Sequence, residues 1–253
     1  MAPLTCGDYS LDTTSNIARR NKMNTSASTP IADTKQRVRD HAFDTATSTG
    51  TLDNTVILHN GDTLYRMGDE LKGIYLVNAG AVKSYRITES GDQQIIGFHV
   101  PGDIIGLDAL GEGISPSMAV ALDTTSVTLI PFNSLLTGNH RFNSQELIRR
   151  MGMSLNRDND LIMMLSQRTA DRRLAWFLVE YSDRLAGRGL SPCEFSLPMS
   201  RGDIALFLGL AMETVCRELA HFCDLGLIEK NRRRVKLLDR DALRRLASGS
   251  RDN

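Results

Sequence analysis

Residues 198–222 read PMSRGDIALFLGLAMETVCRELAHF, and this stretch decides the fold. Its apolar spacing predicts two short helices joined by a glycine-containing turn at residues 209–211. In the second helix, Val215, Leu219 and Phe222 recur at i, i+4 and i+7, so they form a stripe that packs on the first helix. The stretch therefore predicts a helix-turn-helix unit.

The second helix carries a different face in its first turns, made by Glu213, Cys216 and Arg217. In an arbitrary helix, an acid and a guanidinium one turn apart form a salt bridge on a solvated surface. Here they follow a helix and a turn and precede a hairpin pattern, which favours contacts with DNA bases. Arg217 can donate two hydrogen bonds to guanine, and Glu213 can accept one from cytosine while it supports Arg217.

The hairpin pattern at residues 227–238 predicts a wing with its turn at Asn231-Arg232. Basic residues beside a DNA-reading helix can neutralise phosphates, although a basic run is usually a solvated face. The predicted phosphate contacts come from the first helix, the second helix and the wing: Ser200, Arg201, Thr214, Arg232, Arg233 and Arg234. Ser200 is also suited to cap the first helix.

The charge balance of the chain limits how it can bind DNA. Its 253 residues include 30 Lys and Arg against 30 Asp and Glu, a formal net charge of +0. Affinity for DNA must therefore come from a local basic face. No apolar run approaches the roughly 18 residues of a membrane span, and the polar start is no signal peptide. We therefore predict a cytoplasmic protein without a membrane partner.

The sequence shows no catalytic order of Ser, His and Asp and no phosphate-cradling loop, so we predict that the protein is not an enzyme. Metal-ligand spacing is absent too, and we predict no metal site. Four cysteines without paired spacing argue against a disulfide framework.

Shifts in composition divide the chain into four segments. Residues 1–51 are rich in Thr, Ser and Asn and predict a disordered tail. Residues 52–138 contain short β-rich runs separated by glycine, which predicts an antiparallel barrel or sandwich. Residues 139–168 predict a long helix and residues 169–253 a winged helix-turn-helix domain, so the fold class is α+β.

The long helix has a seam of residues that step by three and four along one face. Its members are Ile148, Met151, Leu155, Asp158, Ile162 and Leu165. The seam predicts a coiled coil between two copies of a homodimer, and the alternative is a helix packed on its own domain. A second stripe through Leu147, Leu161 and Met164 could serve that packing. In the dimer, the two Asp158 carboxylates would repel one another near the axis and weaken association.

Several short motifs carry a resemblance to a known family over residues 59–246. They are GDELK at 68–72, Gly80 with KSY at 83–85, GDQQI at 91–95 with GFH at 97–99, GD at 102–103, IPF at 130–132, RGDI at 201–204, GL at 209–210 and ETVCR at 213–217. With them the chain resembles the Crp/Fnr transcription regulators, and within these the Fnr and FixK branches. ETVCR, with Cys where most relatives have Ser or Gly, is similar to the FixK regulators of rhizobial low-oxygen metabolism.

The resemblance implies a cyclic-nucleotide-binding type of β-roll, followed by a dimerisation helix and the winged helix-turn-helix. It also implies a homodimeric activator of genes for low-oxygen respiration and nitrogen fixation. The implied partners are double-stranded DNA, read at TTGAT-like inverted repeats, and RNA polymerase.

Two sensors of this family lack their expected residues here, so we predict no cofactor. Relatives that bind cyclic AMP hold its phosphate with an Arg after a Gly-Glu pair, but the matching residues 102–119 contain no Arg. The iron–sulfur cluster of Fnr needs four thiolates. The tail offers only Cys6, and Thr128 stands at the position of the fourth ligand.

Two alternative functions remain open. The first is a regulator that senses nitric oxide through haem, with His59, His99 or His140 as the iron ligand, although a lone His on a β-roll is more often structural. The second is a cyclic-nucleotide-binding regulatory module. The missing Arg and the intact reading helix argue against it.

Cys216 has two interpretations. In the first, it is a small residue that contacts a thymine methyl group. In the second, it is a redox switch, because its place in the first helical turns and its neighbour Arg217 favour the thiolate, while Glu213 opposes it. Oxidation to a sulfinate would place a negative charge against DNA, and binding would fail.

Overall fold

The computed structural model describes residues 54–137, 144–166 and 169–249. The tail predicted for residues 1–51 lies outside the described residues, as do residues 139–143 and 167–168 of the predicted dimerisation helix. The described residues confirm the predicted α+β fold, with a β-roll, a long helix and a winged helix-turn-helix.

Eight strands of the described residues form the β-roll. They are β1 (Thr55–Leu58), β2 (Thr63–Tyr65), β3 (Gly73–Ala79), β4 (Val82–Ile87), β5 (Gln93–His99), β6 (Ile104–Ile105), β7 (Met118–Ala121) and β8 (Thr125–Pro131). They pair in two antiparallel sheets, ordered β1-β8-β3-β6 and β2-β7-β4-β5. Successive side chains point to opposite faces of a strand, so Val77, Val82, Ala119 and Val127 are buried in one cluster.

The turn between β3 and β4 requires a glycine. Gly80 has a φ of 81°, a backbone conformation that glycine adopts without steric cost. A Cβ at this position would also lie only 2.4 Å from the carbonyl oxygen of Thr124. The glycine of this motif is therefore explained by the close approach of two loops.

The helices of the described residues are α1 (Phe132–Thr137), α2 (Ser144–Leu165), α3 (Ala170–Ala186), α4 (Arg201–Leu208), α5 (Met212–Asp224) and α6 (Arg240–Ser248). A third sheet, ordered β10-β11-β9, combines β9 (Glu194–Ser196), β10 (Ile228–Asn231) and β11 (Arg234–Leu237). Among the described helices, none has both the length and the apolar character needed to cross a membrane.

The two predicted stripes of α2 differ in exposure. Leu147 and Met164 of the second stripe are buried against the rest of the chain. In the seam, Ile148, Leu155 and Ile162 are 67%, 64% and 66% exposed. Met151, which was predicted for the seam, is instead half-buried against the cluster that contains Leu147. This difference arises because Met151 lies one turn from Leu147 and reaches the same apolar surface.

Candidate DNA-binding face

The first helix of the helix-turn-helix begins with a capping box. The backbone N–H of Asp203 donates to the hydroxyl of Ser200 at 3.0 Å, and the backbone N–H of Ser200 donates back to the Asp203 carboxylate at 3.0 Å. The Ser200 hydroxyl also donates to that carboxylate at 2.7 Å. Both donors of Ser200 are therefore used within the cap, and this conformation leaves none for the phosphate contact predicted for this residue.

The second helix packs as its apolar spacing predicted. Val215, Leu219 and Phe222 are all fully buried, and they belong to the same cluster as Ile204 and Leu208 of α4. The N-cap residue of α5, Ala211, makes no side-chain hydrogen bond to the helix. The helix is therefore held by its packing rather than by a polar cap.

The predicted reading residues lie together on the exposed face of α5. Glu213, Cys216 and Arg217 are all exposed, and the Arg217 side chain is 70% exposed. The ion pair of Arg217 is with Glu218, at 3.5 Å from Nε to Oε1, rather than with Glu213 as predicted. Because the guanidinium of this loose pair is itself exposed, it is accessible to a base. Thr214 beside them is half-buried.

Arg201 forms a hydrogen bond with the turn of the wing. Its guanidinium donates to the backbone carbonyl of Arg232 at 3.3 Å, and its Nη1 is buried without a hydrogen-bond partner among the described residues. Burial lowers the pKa of Arg201, and the nearby Cys216 sulfur acts in the opposite sense. Sequence reasoning missed this proximity, because Arg201 and Cys216 belong to different helices.

The wing places three arginines beside the reading helix. Strands β10 and β11 pair from Ile228 with Leu237 to Asn231 with Arg234. Arg232 and Arg233 form the turn, one residue later than the predicted Asn231-Arg232, because Asn231 still pairs with Arg234. Both are exposed together with Arg234. Arg232 has a φ of 53°, an unusual value for a residue other than glycine. Arg234 lies 3.7 Å from Glu194 of β9, an exposed pair that DNA could displace.

The helix-turn-helix is attached to the β-roll through α4. Nζ of Lys83 lies 2.5 Å from Oδ1 of Asp203, the same carboxylate that closes the capping box. Burial raises the pKa of Asp203, but the hydrogen bonds from Lys83 and Ser200 outweigh it and hold that pKa below its ordinary value. The side-chain amide of Gln94 also donates to the carbonyl of Leu206 at 3.3 Å.

The β-roll contains a groove of about 430 Å³ against α2. Residues 102–119 contain no arginine, but β4 contributes Arg86 to the groove. Nε2 of His99 lies 2.8 Å from the hydroxyl of Ser84 in this groove, and burial lowers the pKa of His99 to about 4. The other two histidines predicted as alternative haem ligands are His59, which is exposed, and His140, which lies outside the described residues.

Thr128, at the position of the fourth cluster ligand in Fnr, lies on β8 and bonds to other side chains. Its hydroxyl is 2.7 Å from the hydroxyl of Thr55 and accepts a hydrogen bond from Asn78 at 2.8 Å. Within the described part of the chain, no group of three or more His, Cys, Asp or Glu residues could hold a metal ion.

Two protein families match the chain. Residues 55–137 match the cyclic nucleotide-binding domain, and residues 172–246 match the Crp-like helix-turn-helix domain. The fumarate and nitrate reduction regulatory protein of Escherichia coli K12 is 44% identical over 197 residues, which cover 77% of this chain and 79% of that protein. The corresponding protein of Klebsiella oxytoca is 43% identical over the same shares.

The fold is also similar to solved structures. FixK2 from Bradyrhizobium japonicum has a TM-score of 0.68 and 31% identity, covering 78% of this chain and 98% of that chain. A transcriptional regulator of the CRP family from Thermus thermophilus has a TM-score of 0.62 at 23% identity, covering 76% of this chain and 96% of that chain. The second likeness concerns the fold alone.

Proposed function

Because the chain belongs to the Crp/Fnr family of DNA-binding transcription regulators, which are not enzymes, we propose that it activates genes of low-oxygen respiration and nitrogen fixation as a homodimer. The observation that carries the proposal is the exposed face of Glu213, Cys216 and Arg217 beside the three arginines of the wing. This is where an acid and a forked cation can enter a major groove while neighbouring arginines neutralise phosphates.

The proposed operator is a TTGAT-like inverted repeat. Arg217 donates to a guanine, Glu213 accepts from the opposite cytosine, and Cys216 contacts a thymine methyl group. The proposed phosphate contacts are Arg201, Thr214, Arg232, Arg233 and Arg234. The guanidinium of Arg201 also stabilises the turn of the wing, because it donates a hydrogen bond to the carbonyl of Arg232.

The proposed homodimer forms along the seam of α2. The seam residues Ile148, Leu155 and Ile162 are large, apolar and exposed in the single chain, so their burial by a second copy is favourable. Asp158 is exposed on the same face, and two such carboxylates near the axis would limit the strength of the dimer. Activation requires contact with RNA polymerase, which we propose as the protein partner, in the cytoplasm.

Replacing Arg217 by alanine is expected to weaken operator binding by about 1–3 kcal/mol per half-site, because a two-bond contact with guanine is lost. A gel shift with a TTGAT-type palindrome, under reducing conditions and with no added ligand, measures this loss. The complex on the palindrome should contain two chains. Scrambled DNA of equal length provides the reference for nonspecific binding.

Arg233→Ala is the matched control, because it removes an exposed arginine of the wing at the same cost in charge. It should weaken binding to the palindrome and to the scrambled DNA by similar factors, since phosphate contacts carry no sequence information. If the Arg217→Ala protein still prefers the palindrome as strongly as the parent does, the proposed reading face is wrong.

We also propose that oxidation of Cys216 switches DNA binding off. Cys216 is exposed on the reading face, where a sulfinate would place a negative charge against the phosphates of DNA. Peroxide supplies the oxidant and is reduced to water as the sulfur is oxidised. Treatment with peroxide is expected to abolish the gel shift of the parent, whereas Cys216→Ser should retain it.

Cys193→Ser is the control for this experiment, because Cys193 is exposed but precedes β9, outside the reading face. This variant should remain as sensitive to peroxide as the parent. Equal sensitivity of Cys216→Ser and the parent would exclude Cys216 as the switch. Resistance of Cys193→Ser would assign the effect of peroxide to Cys193.

A further inference from the structure

A cavity of about 590 Å³ lies between α2, α3 and α6. Five arginines of the described residues line it, together with one aromatic side chain: Arg149, Arg157, Arg184, Arg188, Arg244 and Trp176. We propose that this cavity, which we call the arginine cavity, binds a small phosphate-bearing anion. The site does not depend on the DNA-binding face, because it is formed by other residues.

The inner wall of the arginine cavity has more positive than negative charge. Asp103 is 5% exposed and is surrounded by three guanidinium groups. Arg184 forms a short ion pair with it, Arg157 lies at 3.3 Å and Arg188 at 3.7 Å. Glu180 adds one carboxylate, 3.5 Å from Arg184. Three cations therefore face two carboxylates, and a bound anion would balance the excess.

Two further carboxylates, Asp183 and Asp160, line the cavity. Asp183 forms ion pairs with Arg240 and with Arg244, the latter at 2.8 Å. Asp160 also lines the cavity and is exposed. With these two, four carboxylates face the five arginines of the lining, so one positive charge remains for an anion to balance.

Donors are available for the anion. The side chains of Arg157 and Arg188 are 26% and 25% exposed, so an anion in the cavity can reach their guanidinium groups. A guanidinium carries five N–H donors. The ion pair of Arg157 with Asp103 does not use all five, so donors remain for an anion. Phosphate oxygens accept strong, charge-assisted hydrogen bonds from such groups. These features favour a phosphate group over a neutral ligand.

The cavity stays open when α2 dimerises. Arg149, Met153, Arg157 and Asp160 step by four, four and three residues, so they form one stripe of α2. At 3.6 residues per turn, this stripe lies about half a turn from the seam of Ile148 and Leu155. A second copy bound along the seam therefore leaves the cavity accessible. The cavity also differs from the groove of the β-roll, which α2 covers with other residues such as Ser154 and Leu161.

Trp176 provides a direct readout, because it is the only tryptophan of the chain and lines the cavity. Titration of the full chain with pyrophosphate or ATP, at constant ionic strength, is expected to change its emission saturably. Adenosine without phosphates should bind at least tenfold more weakly than ATP, since the phosphates make the charged contacts. Tighter binding of ATP than of pyrophosphate would identify a nucleotide as the ligand, and the reverse would identify a free polyphosphate.

Arg157→Gln should weaken the binding of either probe roughly tenfold or more, as expected for the loss of a charged hydrogen-bond donor. Arg86→Gln is the matched control, because it removes one arginine from the groove of the β-roll and should leave the affinity unchanged. Arg157→Lys keeps the charge, so it shows whether the loss of affinity in Arg157→Gln reflects the missing charge or misfolding. The proposal is overturned if the parent shows no saturable change up to millimolar concentrations, if adenosine binds as tightly as ATP, or if Arg86→Gln weakens binding as much as Arg157→Gln.

Discussion

Replacement of Asp103 by alanine is expected to lower the free energy of unfolding by about 3–5 kcal/mol, the usual cost of removing one partner from a buried ion cluster. The carboxylate is buried and holds Arg184, Arg157 and Arg188, and it accepts a hydrogen bond from the backbone N–H of Val100 at 2.9 Å. Without it, these cations would repel one another where water reaches them poorly. Equilibrium unfolding in urea measures the loss.

The pH dependence of stability gives a second measure of the same group. Burial raises the pKa of Asp103, but Arg184 and Arg157 outweigh it and lower that pKa to about 2 from an ordinary 3.8. A depressed carboxyl pKa stabilises the folded state above about pH 4, and the contribution is lost as the pH falls toward 2. The parent and Asp103→Ala should therefore differ most near neutral pH and converge in acid.

Asp224→Ala is the control, because Asp224 is an exposed carboxylate at the end of α5. It should change stability by no more than about 0.5 kcal/mol. An Asp103→Ala protein that is as stable as this control at neutral pH would show that the three arginines are adequately solvated without the carboxylate.

The two helices of the helix-turn-helix could be predicted because their signals are local. Val215, Leu219 and Phe222 repeat with the period of a helix, and the structure buries all three. The seam of α2 was predicted from the same kind of periodicity, and its apolar members Ile148 and Leu155 are exposed in the single chain. A repeat within one element depends only on the geometry of that element, so a single sequence contains it.

The contacts between elements could not be predicted in this way. Lys83 and Asp203 are 120 positions apart, and Arg184 and Asp103 are 81 apart. No periodicity links such residues, since their approach depends on how the β-roll, α3 and α4 pack. Arg86 is a further case, because it is far in sequence from residues 102–119 and only the pairing of β4 brings it to the groove.

The predicted phosphate contact of Ser200 is not available, because two roles compete for the same hydroxyl group. Ser200 was predicted both to cap α4 and to contact phosphate, but a hydroxyl has one proton. Asp203 takes that proton and the backbone N–H of Ser200 as well. The sequence contains both halves of the capping box, at positions 200 and 203, and this pairing would have indicated which role prevails.

The β-roll and the reading unit share an aromatic core, which makes their attachment sensitive to single substitutions. The ring of Phe98 on β5 lies 5.1 Å from the ring of Phe207 on α4 and 6.0 Å from that of Phe177 on α3, measured between centroids. Phe177 lies 6.0 Å from Phe207 as well. Each ring thus contacts the other two, and Phe177 connects the β-roll with the helix that precedes the reading helix.

Phe177→Ala is expected to lower the free energy of unfolding by about 3–5 kcal/mol, because it deletes a ring from a close-packed core and leaves a cavity. Phe177 is 1% exposed, so no water replaces the lost contacts. Unfolding in urea measures the loss of stability. Operator binding, measured where the variant is still folded, tests whether the β-roll and the helix-turn-helix stay attached. Phe177→Leu, which retains much of the volume, should lose less than Phe177→Ala.

The control for Phe177→Ala is Leu225→Ala, because Leu225 is 56% exposed and its truncation should cost no more than about 0.5 kcal/mol. If Phe177→Ala costs as little as this control, the aromatic core does not hold the two parts together. The attachment would then depend on the polar contacts of Lys83 and Gln94 with α4. With only these two contacts left, the β-roll would hold the helix-turn-helix less firmly.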